Sequence, residues 1–127
     1  MSFRQKLAKY LNNHAETQDN HIDTTLETRY FKTTKDKAMI SLESFFKNGQ
    51  GYELNAISNE HGEISVLKKK GKKCFIVVTV IMVRPFNTAI DLSVTTESFW
   101  PFDFGYSTRL IHQLYNDIQK EIPIIEK

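Results

Sequence analysis

Apolar residues recur along this chain with two different periods. A return every three or four positions marks a helical stripe, and strict alternation marks a strand with one covered face. Phe3, Leu7, Tyr10 and Leu11 share one helical face. Ser2, with Gln5 three residues on, offers a capping box, so a short amphipathic helix is predicted at the N-terminus. A helix of about ten residues does not hold alone in water, so this face must dock on something. Residues 12–23 are polar apart from Ala15 and Ile22 and read as a linker or irregular arm. A Thr-rich strand follows over 24–31, ending in Tyr30 and Phe31.

Thr33 or Thr34 then opens a second helix with Ala38, Met39, Leu42, Phe45 and Phe46 as its stripe. Asn48-Gly49 closes it with residues that tolerate a left-handed cap. Four strands come next, over 51–58, 63–69, 72–83 and 88–97. Their connections are short and carry Gly, Pro or Asn, which is hairpin chemistry. A last helix runs from Phe104 or Ser107 to Glu121. Leu110, Ile111, Leu114, Ile118 and Ile122 form its buried face, and Pro123 stops it.

The order predicts an α+β fold: a curved antiparallel sheet of about five strands with two helices on one face. The arrangement is β-α-β4-α, TATA-binding-protein-like, preceded by the N-terminal helix. The topology by itself carries no function. Residues 1–23 form the helix and arm, and residues 24–127 a single domain.

Alternation separates the faces of the sheet. Tyr52, Leu54, Ala56, Ile64, Val66, Ile90, Leu92 and Val94 are expected to meet the helices, while Glu53, Asn55, Ser65, Asp91, Ser93 and Thr95 prefer water. The strand from Lys72 to Val83 departs from this pattern because both of its alternations are apolar. A strand of that kind is usually covered on both sides. Ile76, Val78, Val80 and Met82 are therefore candidates for a second-face interface, with Ile57 and Leu67 beside them. The N-terminal helix, a second copy of the chain or a ligand could cover it.

Composition narrows the classes further. Apolar residues make up 40% and charged residues 25% of the 127, which is ordinary for a globular domain and argues against wholesale disorder. The net charge of +2 is too small for a dedicated duplex-DNA binder. The one cysteine, Cys74, has no partner for an internal disulfide and reads as a core thiol. No leader-like apolar stretch opens the sequence, and the longest apolar run is about half of what a spanning helix needs, so a cytoplasmic protein is expected.

Three features could carry chemistry. Lys68, Lys69, Lys70, Lys72 and Lys73 crowd one hairpin turn. They could contact phosphates of nucleic acid or of an anionic surface, or simply solvate a hairpin tip and discourage edge pairing. Between the last strand and the last helix, Phe99, Trp100, Phe102, Phe104 and Tyr106 put five aromatics into eight residues. Trp100, Phe102, Phe104 and Tyr106, with Arg109, are candidates for a ligand or partner site; the competing reading is an aromatic plug closing the end between sheet and helix. His14, Asp19 and His21 could be drawn as a metal site, but their spacing matches no ligand pattern.

Two further stretches carry a likeness. One runs from Ala15-Glu16-Thr17 through Leu26-Glu27-Thr28-Arg29-Tyr30-Phe31-Lys32. The other is Val80-Ile81-Met82-Val83-Arg84-Pro85-Phe86 with Thr88-Ala89-Ile90-Asp91, together with Asp103-Phe104-Gly105-Tyr106-Ser107 before the helix. Together they resemble a small family of uncharacterised cytosolic proteins of Gram-positive bacteria, over most of the chain. The resemblance implies a single cytoplasmic domain and brings no activity, cofactor or catalytic residue.

No general acid, base and nucleophile can be named together, so no enzyme and no cofactor is expected. The favoured reading is a protein-interaction module, acting as a homodimer or with a partner through an apolar sheet face. The alternatives are a small apolar-ligand carrier, with a cavity between sheet and last helix lined by Trp100, Phe104 and the Phe75 strand, or a weak nucleic-acid or anionic-surface binder using the Lys68–Lys73 turn.

Overall fold

The computed structural model describes residues 14–17, 27–49, 51–96 and 106–125. The predicted N-terminal helix, and with it Phe3, Leu7, Tyr10 and Leu11, lies outside the described residues, as do Trp100, Phe102 and Phe104.

The described chain is an α+β fold. Its elements in order are β1 (His14–Glu16), β2 (Arg29–Phe31), α1 (Lys35–Asn48), β3 (Tyr52–Ser58), β4 (Glu63–Lys68), β5 (Cys74–Arg84), β6 (Asn87–Thr96) and α2 (Tyr106–Gln119). All pairings are antiparallel. The sheet runs β1-β6-β5-β4-β3, and β2 also pairs β6. β1 takes Ser93–Thr95 of that edge and β2 takes Thr88–Ile90, so the two lie end to end and the sheet is five strands wide. Part of the expected irregular arm is thus a strand. Three residues are too few to show an alternation, which is why the pattern missed it.

Each helix forms where its ends are satisfied. The Thr34 hydroxyl accepts from the Lys37 amide at 3.3 Å and caps α1. α1 ends at Asn48–Gly49 as expected, but Gly49 has φ −75°, so the cap is extended rather than left-handed. Beyond α2, the segment at Ile122–Ile125 folds back along β2. Lys32 N–H donates to Pro123 O at 2.7 Å and Ile125 N–H to Tyr30 O at 2.8 Å. Phe31, wholly buried, is clamped between this segment and the helices.

The core lies between the helices and one face of the sheet. Ala38, Met39, Leu42 and Phe46 of α1, and Leu110, Ile111, Leu114, Tyr115 and Ile118 of α2, pack on Ile64, Val66, Ile90, Leu92 and Val94. These are the expected positions, with Tyr115 added. Two expectations about the sheet are corrected. Ile76, Val78 and Val80 are at most 1% exposed and belong to this core, not to the second face. Their partners across the strands are Val94, Leu92 and Ile90 on one side, which fixes their side of the pleat. The residues of β5 that face away are Phe75, Val77, Thr79 and Ile81. Second, the register of β3 shifts between Leu54 and Ala56, so Ile57 rather than Ala56 pairs with buried Ile64. A single bulged residue at Asn55 reverses the inside and outside of the rest of the strand.

Candidate interaction surface

Register determines which side chains share the face turned away from the helices. One row runs Thr95, Phe75, Leu67, Glu53, and the next Ser93, Val77, Ser65, Ala56. The third row is polar: Asp91, Thr79, Glu63, Ser58. Beyond it come Ala89 and Ile81, and then the tip of the β5–β6 hairpin. The open face therefore holds two apolar patches separated by a polar row. Phe75 is 39% exposed on the near patch. On the far patch Ile81 is 53% exposed; at the adjoining hairpin end Val83 is 53% and Phe86 61% exposed, and Met82 is 46% exposed on the opposite face from Ile81. Met82 is exposed, but it lies on the same alternation as Ile76, Val78 and Val80, not on the second face. Among the described residues nothing covers either patch.

The near patch contains a shallow hollow of about 270 Å³ bordered by Ala56, Ile57, Glu63, Phe75 and Val77. A second hollow, of about 310 Å³, opens at the hairpin end between Tyr30, Val83, Arg84, Asn87 and Ile125. Of the strand expected to line a cavity between sheet and last helix, Ile76, Val78 and Val80 face the helices and are packed in the core, while Phe75 itself points to the opposite face. Trp100 and Phe104, the cavity's other expected walls, lie outside the described residues.

The hairpin turn is unusual. Arg84 pairs with Asn87 across Pro85-Phe86, and Phe86 has φ 59°. Proline suits the first central position of such a turn, but a positive φ at the second is the place for glycine or asparagine. A bulky side chain held there is strained, and this one is presented to solvent.

The lysine cluster is divided by its contacts. Lys69 is ion-paired with Glu53, and Lys68 Nζ donates to Lys70 O. Lys70 and Lys73 are exposed. Lys68 and Lys72 stand over the Tyr106 ring, with Nζ 5.6 and 5.3 Å from its centre. The sequence shows no aromatic within the turn; the fold brings one from the start of α2. Of the other aromatic-segment candidates, Arg109 is exposed on α2. Burial pushes the nearby Cys74 thiol up to about 11, against the opposing pull of Lys68 and Lys72. That favours an inert thiol over a nucleophile.

One polar cluster was not foreseen. At the gap between β1 and β2, Asp91 Oδ1 accepts from the hydroxyls of Thr17 (2.8 Å) and Thr28 (2.6 Å). From the helix side, the buried Tyr115 hydroxyl donates to Ile90 O at 2.6 Å. Arg29 lies 4.5 Å from the centre of the Tyr115 ring and donates to Gln119 Oε1 at 2.9 Å. These groups satisfy one another and close the broken edge. Among the described residues no three of His, Cys, Asp and Glu gather as a metal would require, and no helix is long and apolar enough to cross a membrane.

Compared with protein families, with curated proteins and with solved structures, the chain matches none.

Proposed function

We propose that this chain is a non-enzymatic protein-interaction module that docks another protein, first of all a second copy of itself, through the apolar end of the β5–β6 hairpin. One observation carries the reading: Ile81, Met82, Val83 and Phe86, neighbours at one hairpin end, are each about half exposed or more, Ile81 on the open face and Met82 on the other. Apolar residues scattered singly on a surface need no explanation, whereas four crowded into one hairpin end do. The strained backbone at Phe86 points the same way, since strain is retained where the side chain it presents is useful. A homodimer built on one such patch on each copy would be isologous. The order of elements is in keeping with a TATA-binding-protein-like arrangement, and a single buried thiol suits a cytoplasmic setting.

The test is light scattering of the full chain up to high micromolar concentration, beside Ile81→Lys. The expected result is a mass rising toward twice the monomer for the wild type and a constant monomer for Ile81→Lys. A wild-type chain monomeric throughout, with Ile81→Lys unchanged in solubility and in capture of partners, overturns the reading.

A second reading, weak binding of an anionic polymer, is supported by Lys68 and Lys72 flanking the Tyr106 ring. Binding of a single-stranded oligonucleotide would then fall steeply with salt and vanish when Lys68, Lys69, Lys70, Lys72 and Lys73 are changed to Gln. Salt-insensitive retention removes it.

A further inference from the structure

We infer that the hollow beside the hairpin end binds a small apolar carboxylate with an N–H one carbon away, the chemistry of an N-acylated amino acid or of the last residue of a peptide. The hollow, of about 310 Å³, is bordered by Tyr30, Val83, Arg84, Asn87 and Ile125. Register places four of these on one face, although they come from four segments. Tyr30 pairs Ala89, and Ala89 pairs Ile81 on the open face. Asn87 is two positions from Ala89 along β6 and shares its face, and Arg84 pairs Asn87. On the other side the buried Phe31 bridges Ile124, which leaves Ile125 on the side of Tyr30, and the Ile125 amide donates to Tyr30 O at 2.8 Å. The hollow thus crosses the end of the open face from β5 to the segment after α2.

Its walls are of two kinds. Val83, Ile125 and the ring of Tyr30 are apolar, whereas Arg84 and Asn87 are polar. Arg84 is exposed and enters no ion pair among the described residues. A guanidinium is always charged, and its planar fork matches a carboxylate. Asn87 Oδ1 is shut off from solvent and has no hydrogen-bond partner. Such an acceptor costs stability until a donor reaches it, and the soft last torsion of asparagine lets the amide turn toward the hollow. One cation and one unsatisfied acceptor beside an apolar wall call for a carboxylate, an N–H and an apolar side chain in the same ligand. Inorganic phosphate or a polyanion would leave the apolar walls unused. The volume is at the small end of the range for ligand sites, which suits one residue-sized group rather than a nucleotide cofactor. Only Val83 is shared with the proposed docking contact, so the two readings stand or fall separately.

The test follows backbone amide signals of the isotope-labelled full chain by NMR as N-acetyl-leucine is added, with N-acetyl-leucinamide, which lacks the carboxylate, in parallel. A ligand of about a dozen heavy atoms binds such a site with a Kd of about 1 mM. The signals of Tyr30, Val83, Arg84, Asn87 and Ile125 should shift in that range. N-acetyl-leucinamide should bind about fivefold more weakly, as the loss of one partly exposed ion pair implies. Arg84→Gln, a change at an exposed position, should bring N-acetyl-leucine down to the level of the leucinamide. A short peptide ending in leucine distinguishes the two sources: tighter binding than N-acetyl-leucine assigns the site to a chain end, and equal or weaker binding assigns it to the free acid. Light scattering of the same samples reads self-association independently. No shift of these five signals, equal binding of N-acetyl-leucine and its amide, or binding unchanged in Arg84→Gln overturns the inference.

Discussion

Thr17 and Asp91, 74 positions apart, meet at the break in the sheet's outer edge, where the threonine hydroxyl donates to Asp91 Oδ1 at 2.8 Å. The same hydroxyl oxygen accepts from the Leu92 amide at 2.9 Å, and the Thr17 amide donates to Leu92 O at 2.9 Å. Thr17 thereby continues the edge where β1 has ended, and the Thr28 hydroxyl, before β2 begins, donates to the same Asp91 Oδ1. An open β6 edge would expose unpaired backbone to other chains. The Asp91 carboxylate ties both ends of that edge to the sheet.

Replacement of Asp91 should therefore cost more than an ordinary surface change. Asp91→Ala removes two charge-assisted bonds in a partly buried site, worth about 2–3 kcal/mol together. Asp91→Asn keeps an acceptor oxygen for both threonines and should cost only about 1 kcal/mol. Urea unfolding of the three proteins checks the order; an Asp91→Ala chain as stable as the parent would show that the edge closes without the carboxylate.

Tyr115 guards the same junction from the helix side. Its hydroxyl has one proton, given to Ile90 O at 2.6 Å, so the 3.2 Å approach to Thr17 Oγ1 is the weaker contact. Tyr115→Phe leaves the packing of the ring and its Arg29 neighbour in place and should cost about 1–1.5 kcal/mol. Arg29→Met, which keeps a long apolar stem over the ring, should cost less than Arg29→Ala. Thermal denaturation distinguishes them.

The residues of this junction show what the sequence could and could not reveal. The helical stripes of α1 and α2 were legible because apolar positions at helical spacing have one reading. β5 was not, because Cys74, Ile76, Val78 and Val80 alternate with residues almost as apolar. One signal was present: Thr79, the only polar residue within Cys74–Val83, falls on the alternation with Phe75, Val77 and Ile81, and marks it as the open side. The bulge at Asn55 left no comparable trace, and it exchanged Ala56 and Ile57 between faces. Tyr106 could not be linked to Lys68 and Lys72 at all, since they meet only when the start of α2 comes to rest against the lysine turn. The first of these corrections moves the candidate surface from Ile76, Val78 and Val80 to the opposite alternation, yet it leaves it on β5.

Cys74 and Tyr52 predict how stability responds to alkali. Burial raises the thiol from an ordinary 9.0 to about 11. Tyr52 is pushed up to about 12, by burial first and then by Cys74, Asp117 and Tyr106. In both, the folded chain keeps a proton that the unfolded chain has released, so stability is intact below pH 9 and falls as pH rises through the thiol's 9-to-11 window and onward to about 12 with Tyr52. Urea midpoints measured across that range should decline, and Cys74→Ala should flatten the lower part of the slope. A thiol reagent should label native Cys74 far more slowly than the denatured chain; equal rates would place the thiol at the surface.

Phe86 separates stability from the proposed docking function. At φ 59° its backbone occupies a region that glycine enters freely and bulky residues do not. Its ring is largely exposed, so little burial offsets the strain in the isolated chain. Phe86→Gly should stabilise the monomer by about 0.5–1 kcal/mol, net of the added freedom of glycine in the unfolded state. Phe86→Val places a branched side chain in the same conformation and should destabilise it by about 1 kcal/mol. If the aromatic is retained for docking, Phe86→Gly weakens self-association or partner capture while raising the melting temperature, and the two effects move in opposite directions within one variant. Light scattering and thermal unfolding of the same sample decide this. A Phe86→Gly chain that is more stable and associates unchanged would leave the strained turn without a role in binding and would shift the contact onto Ile81 and Val83 alone.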